Sequence, residues 1–313
     1  MPRPPLRRKT PAIISASRLT DIPRFYAKWF TNRLAAGFCE SANSYGGRYW
    51  ISLNPRDVLG FLFWTRDPRP LGETITQLVH RRVPVAMQFT VTAYGVDIET
   101  NRVPLPEQIA AFKTITRMLE APTCIEWRYD PILVTPTYTI DWHVASFTEI
   151  AQQLVGSTLV CNTSICEPYL HTIRRVGQEA AEYRALDPVR HKTAASKYPD
   201  TRALDSAASL LETLGQVGRK HGIELRICAN PEYDGLPASQ CCSMGIFQGC
   251  QGAQGIRNLP AGPSRSGCRC LATVDVGMGD SCLGGCKYCY VVHAASKPQP
   301  FYQRHDPEGV SIR

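Results

Sequence analysis

Residues 271–290 read Leu-Ala-Thr-Val-Asp-Val-Gly-Met-Gly-Asp-Ser-Cys-Leu-Gly-Gly-Cys-Lys-Tyr-Cys-Tyr. Leu271 to Val276 is a short apolar run suited to a buried strand. Beyond its end Cys282, Cys286 and Cys289 follow at spacings of four and three residues, with Tyr290 directly after the last. Thiolates in a short loop suit an iron–sulfur cluster. A cubane cluster takes four ligands, so three from this loop leave one iron open to a small molecule. The same residues also read as half of a zinc knuckle, because zinc accepts thiolates in short Cys pairs and the two ligand preferences overlap.

Upstream, apolar runs recur that match this strand. They are Pro11 to Ser17, Val58 to Thr65, Pro84 to Thr92, Cys124 to Tyr129, Thr158 to Ile165 and Ile223 to Cys228. Between them the pattern is helical over Phe25 to Ala36, Leu71 to Arg82, Pro106 to Glu120, Asp141 to Leu154, Tyr169 to Ala185 and Ser206 to His221. Ile109, Phe112, Ile115, Met118 and Leu119 share one face of the third helix. Gly37 and Gly222 are read as stops, and Asp141 as an N-cap. Phe38 to Leu53, with Asn43 to Gly47 at its centre, reads as a hairpin outside the main sheet, and His191 to Leu204 as a loop. Alternation of strand and helix predicts parallel β/α units, a (β/α) barrel or partial barrel of the TIM type. Residues 11–234 supply most of its units. Residues 235–313 form a Cys-rich segment that completes it and binds the cluster, and residues 1–10 are a disordered basic tail. Gly235 to Arg269 is long for a structureless loop, which favours a functional or cofactor-tied role.

Composition narrows the function classes. With 313 residues, 43% hydrophobic and 20% charged, the chain suits a globular protein with a large core. No apolar run is long enough for a membrane span, and no signal-peptide pattern follows the basic start, so a cytoplasmic protein without membrane partners is expected. Nine of the 13 cysteines lie from Cys228 onward, a crowding that metal or cluster ligation explains better than disulfides in a chain without an export signal. A net charge of +8 permits an anionic small molecule or nucleic acid as substrate. Neither a Gly-x-Gly-x-x-Gly nor a P-loop is present, which disfavours nucleoside-triphosphate chemistry.

Polar clusters end the apolar runs, where β/α barrels carry their chemistry. Ser15, Ser17, Arg18 and Asp21 follow the first. Arg18 suits a carboxylate or phosphate, or else a structural pair with Asp21. Glu126, Arg128 and Asp130 alternate along one strand and share a face. Three charges there read as catalytic residues at the barrel mouth or as a buried ion-pair network. Gln88 and Asn43 are weaker candidates. His293 and His305 follow the cysteine loop as solvated residues or part of a lid.

Cys282-x-x-x-Cys286-x-x-Cys289-Tyr290 resembles the signature of the radical S-adenosylmethionine enzymes, in which the loop follows the first barrel strand. Here it follows the last, which implies a circular permutation. The whole chain also resembles an uncharacterised bacterial family with a C-terminal cluster motif of this kind. The segments that carry this likeness are Ile14 to Pro23, Phe63-Trp64-Thr65, Gln88-Phe89-Thr90, Trp127 to Ile132 and Cys268 through Tyr290. The resemblance implies a 4Fe–4S cluster on Cys282, Cys286 and Cys289, with S-adenosylmethionine on the open iron. It also implies reductive cleavage of that cofactor, hydrogen abstraction from an unknown substrate, and a reductant such as flavodoxin or ferredoxin. The usual Gly-Gly-Glu is absent, so Ser15, Ser17 and Asp21 stand in its place, and Arg18 and Tyr290 complete the expected cofactor contacts. A second thiol set is implied by the same likeness: Cys228, Cys241 or Cys242, Cys268 and Cys270, holding an auxiliary cluster or zinc, with Cys250 a further candidate. The remaining alternatives are thiols without metal at that second set, and a zinc-stabilised barrel that binds a ligand or nucleic acid without radical chemistry.

Overall fold

The structure is a computed structural model that describes residues 12–42, 48–167, 169–177, 201–229, 233, 235–253, 256, 259–262 and 268–313. The basic start, the turn at Asn43 to Gly47 and most of the segments 178–200 and 230–234 lie outside the described residues.

Seven parallel strands form one sheet. They are β1 (Ala12–Ala16), β4 (Val58–Thr65), β5 (Val85–Thr90), β6 (Ile125–Arg128), β7 (Val160–Thr163), β8 (Glu224–Ile227) and β9 (Thr273–Asp275), while β2 (Phe38–Ala42) and β3 (Arg48–Ser52) make a separate antiparallel pair. The order across the main sheet is β8-β7-β6-β5-β4-β1-β9. β9, last in the chain, therefore pairs with β1, in the register Ile13 to Thr273, Ile14 to Val274 and Ser15 to Asp275. This is a mixed α/β fold with the form of a partial α/β barrel.

β4 reads Val-Leu-Gly-Phe-Leu-Phe-Trp-Thr and is buried almost throughout. A strand covered on both faces has to be apolar along its whole length. Helices α2 (Ala27–Ala36), α3 (Gly72–His80), α4 (Leu105–Leu119), α5 (Ile140–Gln153) and α7 (Thr201–Lys220) supply the cover. Trp127 of β6 stacks on Phe147 of α5 at 4.6 Å, and Phe89 of β5 on Phe112 of α4 at 5.1 Å. α2 ends at Gly37, whose φ of 78° is left-handed, as its reading as a stop requires.

Some boundaries differ from the pattern. The helix expected over Phe25 to Ala36 is two pieces, α1 (Ile22–Phe25) and α2, because α1 is a single turn capped by the Asp21 carboxylate. Thr139, not Asp141, caps α5: its hydroxyl accepts from the Trp142 amide, and Asp141 sits inside the first turn. Helix α6 covers Leu170–Val176, and the remainder of the helix expected to Ala185 lies outside the described residues. α7 begins at Thr201, inside the stretch read as a loop. The C-terminal segment carries α8 (Met244–Phe247) and α9 (Pro298–Gln303), and its end packs on α2, where Trp29 Nε1 donates to the Gly309 carbonyl at 3.0 Å. His305 is half-buried and packs edge-on against Tyr26 at 4.8 Å, which corrects its reading as a solvated residue. No helix among the described residues is long and apolar enough to cross a membrane.

Candidate metal and cofactor site

A cavity of about 620 Å³ opens over the strand ends. Every strand of the main sheet contributes to it at or just past its last residue: Ser17, Thr65, Thr90, Arg128, Ser164, Cys228 and Asp275. Parallel sheets place chemistry there because the strands end together and the following loops are free to vary. Cys282, Cys286 and Cys289 line one side, and Cys228, Cys241, Cys268 and Cys270 another. No disulfide joins any of them.

The loop that carries Cys282, Cys286 and Cys289 is held by the segment after β5. Glu99 and Cys286 form an antiparallel bridge, the Lys287 amide donates to the Ile98 carbonyl at 2.9 Å, and Asn101 Nδ2 donates to the Leu283 carbonyl at 2.6 Å. The two glycines between the first two cysteines have separate reasons. Gly285 has φ +67°, a left-handed conformation that other residues resist. A Cβ on Gly284 would lie 3.4 Å from Cys282 Sγ and 3.6 Å from Cys286 Sγ, inside the space that the two sulfurs share. Burial pushes the Cys282 and Cys286 thiols up to about 11, and raises Cys289 as well. Without metal they are protonated at neutral pH, so ligation would release their protons.

The second thiol set forms a chain of contacts. Cys241 bonds with Cys228, which lowers its pKa, and with Cys270, which raises it; burial adds to the rise and the thiol stands at about 12. Cys270 in turn bonds with Cys268. Of the three cysteines left open by the sequence, Cys241 is therefore the one in this chain. Cys242 is buried outside the cavity lining, and Cys250 donates to the Val85 carbonyl at 3.1 Å and pairs with Cys124. Among the described residues, no three His, Cys, Asp or Glu side chains converge closely enough to hold a single metal ion.

Asp275, unremarked in the sequence because it lies inside an apolar run, organises the end of β1. Its carboxylate accepts from Ser15 Oγ at 2.9 Å, from Ser17 Oγ, from the Arg18 amide at 2.9 Å and from the Gly277 amide at 2.8 Å. Ser15 and Ser17 thus spend their donors on Asp275. Asp21 accepts from Thr65 Oγ1 at 2.7 Å and from the Arg66 amide at 2.9 Å. Burial outweighs these bonds and pushes its carboxyl up to about 6. Arg18 makes no pair with Asp21; its guanidinium donates to Thr273 Oγ1 at 3.0 Å and lies over the Trp64 ring. Tyr290 is 51% exposed at the mouth and stacks on Tyr169.

The three charges at the end of β6 separate. Arg128 pairs with Asp130, and both line the cavity. Glu126 is turned below it, accepting from Gln88 Nε2 and Asn162 Nδ2, both at 2.6 Å, within a network that reaches the Cys241 carbonyl through Gln88. Burial raises its carboxyl, and Arg226 stands 4.0 Å away. A second buried network lies beneath Cys286: Arg66 pairs with Glu99 at 2.8 Å and donates to the Tyr288 hydroxyl, while Tyr288 donates to Glu99 at 2.5 Å. Arg66 and Glu99 carried no motif, and Trp64 and Tyr288, though inside segments that carry the family likeness, had no role assigned to them. Only the fold brings them to the thiols.

The family model described as Domain of unknown function (DUF1848) matches residues 13–291. This span takes in all seven strands of the main sheet except the first residue of β1, and the three cysteines of the loop. Among solved structures, the chain is similar at 15% identity to an apo β-glucosidase 1317, over 51% of this chain and 46% of that one, with a TM-score of 0.30. It is similar at 14% identity to the AHE enzyme from Alicyclobacillus herbarius, over 50% and 36%, with a TM-score of 0.28. A putative phosphomethylpyrimidine kinase from Bacteroides thetaiotaomicron matches at 12% identity over 73% and 65%, with a TM-score of 0.26. The chain thus spans less than half the length of the first two. No curated protein matches it.

Proposed function

We propose, for a chain that belongs to the DUF1848 family of domains of unknown function, a radical S-adenosylmethionine enzyme on a circularly permuted TIM-type barrel. The observation that carries this reading is that Cys282, Cys286 and Cys289 all line the strand-end cavity, in a loop where a side chain at Gly284 would touch two of the sulfurs. The pairing of β9 with β1 supports the permutation, since it sets the cysteine-bearing strand before β1 in space although it comes last in the chain.

The donor set fits the cofactor. All three residues are thiols, the ligands iron–sulfur clusters take. A cubane spreads its ligands over separate corners, wider than one ion does, so the absence of a single-ion site does not count against it. Cys282, Cys286 and Cys289 would hold the cluster, and Cys228, Cys241, Cys268 and Cys270 an auxiliary cluster; zinc at the second set would need its thiols to draw closer together than they stand. When bound, the first cluster supplies the electron that breaks a C–S bond of S-adenosylmethionine and so starts hydrogen abstraction. The chain's own part is to bind and orient. Asp21, kept protonated more readily than a free carboxyl, stands beside Cys282 and can accept from or donate to the methionyl group. Tyr290, stacked on Tyr169 at the mouth, is the aromatic residue that would meet the cofactor there. Arg128 and Asp130 face the cavity and are the residues to position the substrate.

The zinc-stabilised barrel is the competing reading, and metal analysis separates the two. Protein purified without oxygen should be brown and carry iron and sulfide, and Cys286→Ala should lose part of that iron. Colourless, zinc-loaded protein from anaerobic cells would overturn the cluster reading.

A further inference from the structure

Among the described residues three arginines line the cavity, and they are not paired alike. Arg66 is matched by Glu99 and Arg128 by Asp130. Arg18 is in no ion pair among the described residues; its guanidinium has one side-chain hydrogen bond, to the neutral Thr273 hydroxyl. It is half-buried at the cavity wall, so it is not fully hydrated, and the carboxylate of Asp275 accepts from its backbone amide rather than forming an ion pair with its guanidinium. Arg18 and Arg128 share one aromatic neighbour. Both guanidinium carbons lie over the Trp64 ring, at 5.9 Å and 4.9 Å from its centroid, and Trp64 is anchored by its Nε1 donating to Ser15 Oγ at 3.1 Å. Asp130 spends its second oxygen on Ser164, which donates to it at 2.5 Å, and Arg128 Nε has no partner. The result is two guanidiniums resting on one indole at the cavity wall, of which Arg18 has no ion-pair partner, although the carboxylates of Asp21, Asp130, Glu167 and Asp275 also line the cavity.

We propose that Arg18, with Arg128 on the same indole, is the receptor for an oxyanion on the substrate, a phosphate or a carboxylate. The site stands between the two thiol sets, since Arg128 lies near Cys228 and Cys241 while Asp21 on the loop after Arg18 stands beside Cys282. A planar guanidinium meets either oxyanion with paired hydrogen bonds. This rests on the radical reading for what happens to the substrate, but not for the binding itself, which requires no metal.

Calorimetry on the full-length reduced protein at low salt tests it, with inorganic phosphate and malonate as separate probes. Wild-type protein is expected to bind one of them, which identifies the oxyanion, and Arg18→Gln to weaken that binding by about tenfold, the loss of one charge-assisted contact. Arg18→Lys should keep part of the affinity, and Lys28→Gln, exposed on α2, all of it. Circular dichroism checks that Arg18→Gln folds. Binding of neither probe, or equal binding by wild type and Arg18→Gln, overturns the proposal. In iron-loaded protein, competitive displacement of the probe by S-adenosylmethionine would also overturn it, because the oxyanion would then belong to that cofactor. Oxyanion binding without cofactor cleavage would sink the radical reading alone, and cleavage without oxyanion binding this inference alone.

Discussion

Replacing Arg66 by Met removes the cation from a buried pair while keeping the length of the side chain. Arg66 and Glu99 expose 12% and 3% of their side chains, so water cannot take the place of the lost partner. Breaking such a pair from one side costs about 3–5 kcal/mol, because the surviving charge stays buried. Glu99 keeps two donors in the variant, Thr92 Oγ1 at 2.7 Å and Tyr288 Oη at 2.5 Å, which places the expected cost at the low end, about 3 kcal/mol. For a chain of this size that corresponds to a fall in melting temperature of roughly 6–12 °C. Urea unfolding of the metal-free, reduced protein measures it. The double variant Arg66→Met/Glu99→Leu should recover most of the loss. A cost below about 1 kcal/mol, the range of exposed pairs, would refute the reasoning, as would a double variant no more stable than the single one.

Other consequences are measurable in the same protein. Burial pushes His143 from 6.5 down to about 4. The unfolded chain therefore binds the proton first, stability falls as pH drops from 6.5 to 4, and the loss from this residue approaches about 3 kcal/mol; His143→Gln should remove that slope from a pH series of unfolding curves. Thr139→Ala should cost about 1 kcal/mol through loss of the α5 cap, whereas Asp141→Ala should cost clearly less, and a reversal of that order in thermal melts would contradict the cap assignment. Gly285→Ala forces a side chain into φ +67° with its Cβ 3.0 Å from Thr100 Cβ, and is expected to cost about 1–2 kcal/mol and to lower iron uptake on reconstitution.

The sheet was legible because its strands are buried on both faces and so read as unbroken apolar runs, and because helical periodicity separates them. Even the odd pairing of β9 with β1 followed once the cysteine loop was set beyond the last strand. Helix starts were less legible: Thr139 and Asp141 are equally good caps in sequence, and backbone geometry alone decides between them. The thiols were legible by spacing within the loop, but the choice among Cys241, Cys242 and Cys250 was not, since it depends on which side of the chain faces the cavity. The Arg66–Glu99 pair could not be found in sequence, and Asp275 and Trp64, though inside segments that carry the family likeness, showed no role there. Each lies in or beside an ordinary apolar strand or loop, and its partners are dozens to hundreds of residues away.

One assay bears on the central claim most directly: anaerobic reconstitution with iron and sulfide, reduction with dithionite, addition of S-adenosylmethionine, and chromatography for 5′-deoxyadenosine. Wild-type protein should form it and Cys286→Ala should not. Iron-loaded wild-type protein that leaves the cofactor intact, or a Cys286→Ala variant that cleaves it at the wild-type rate, would contradict the account.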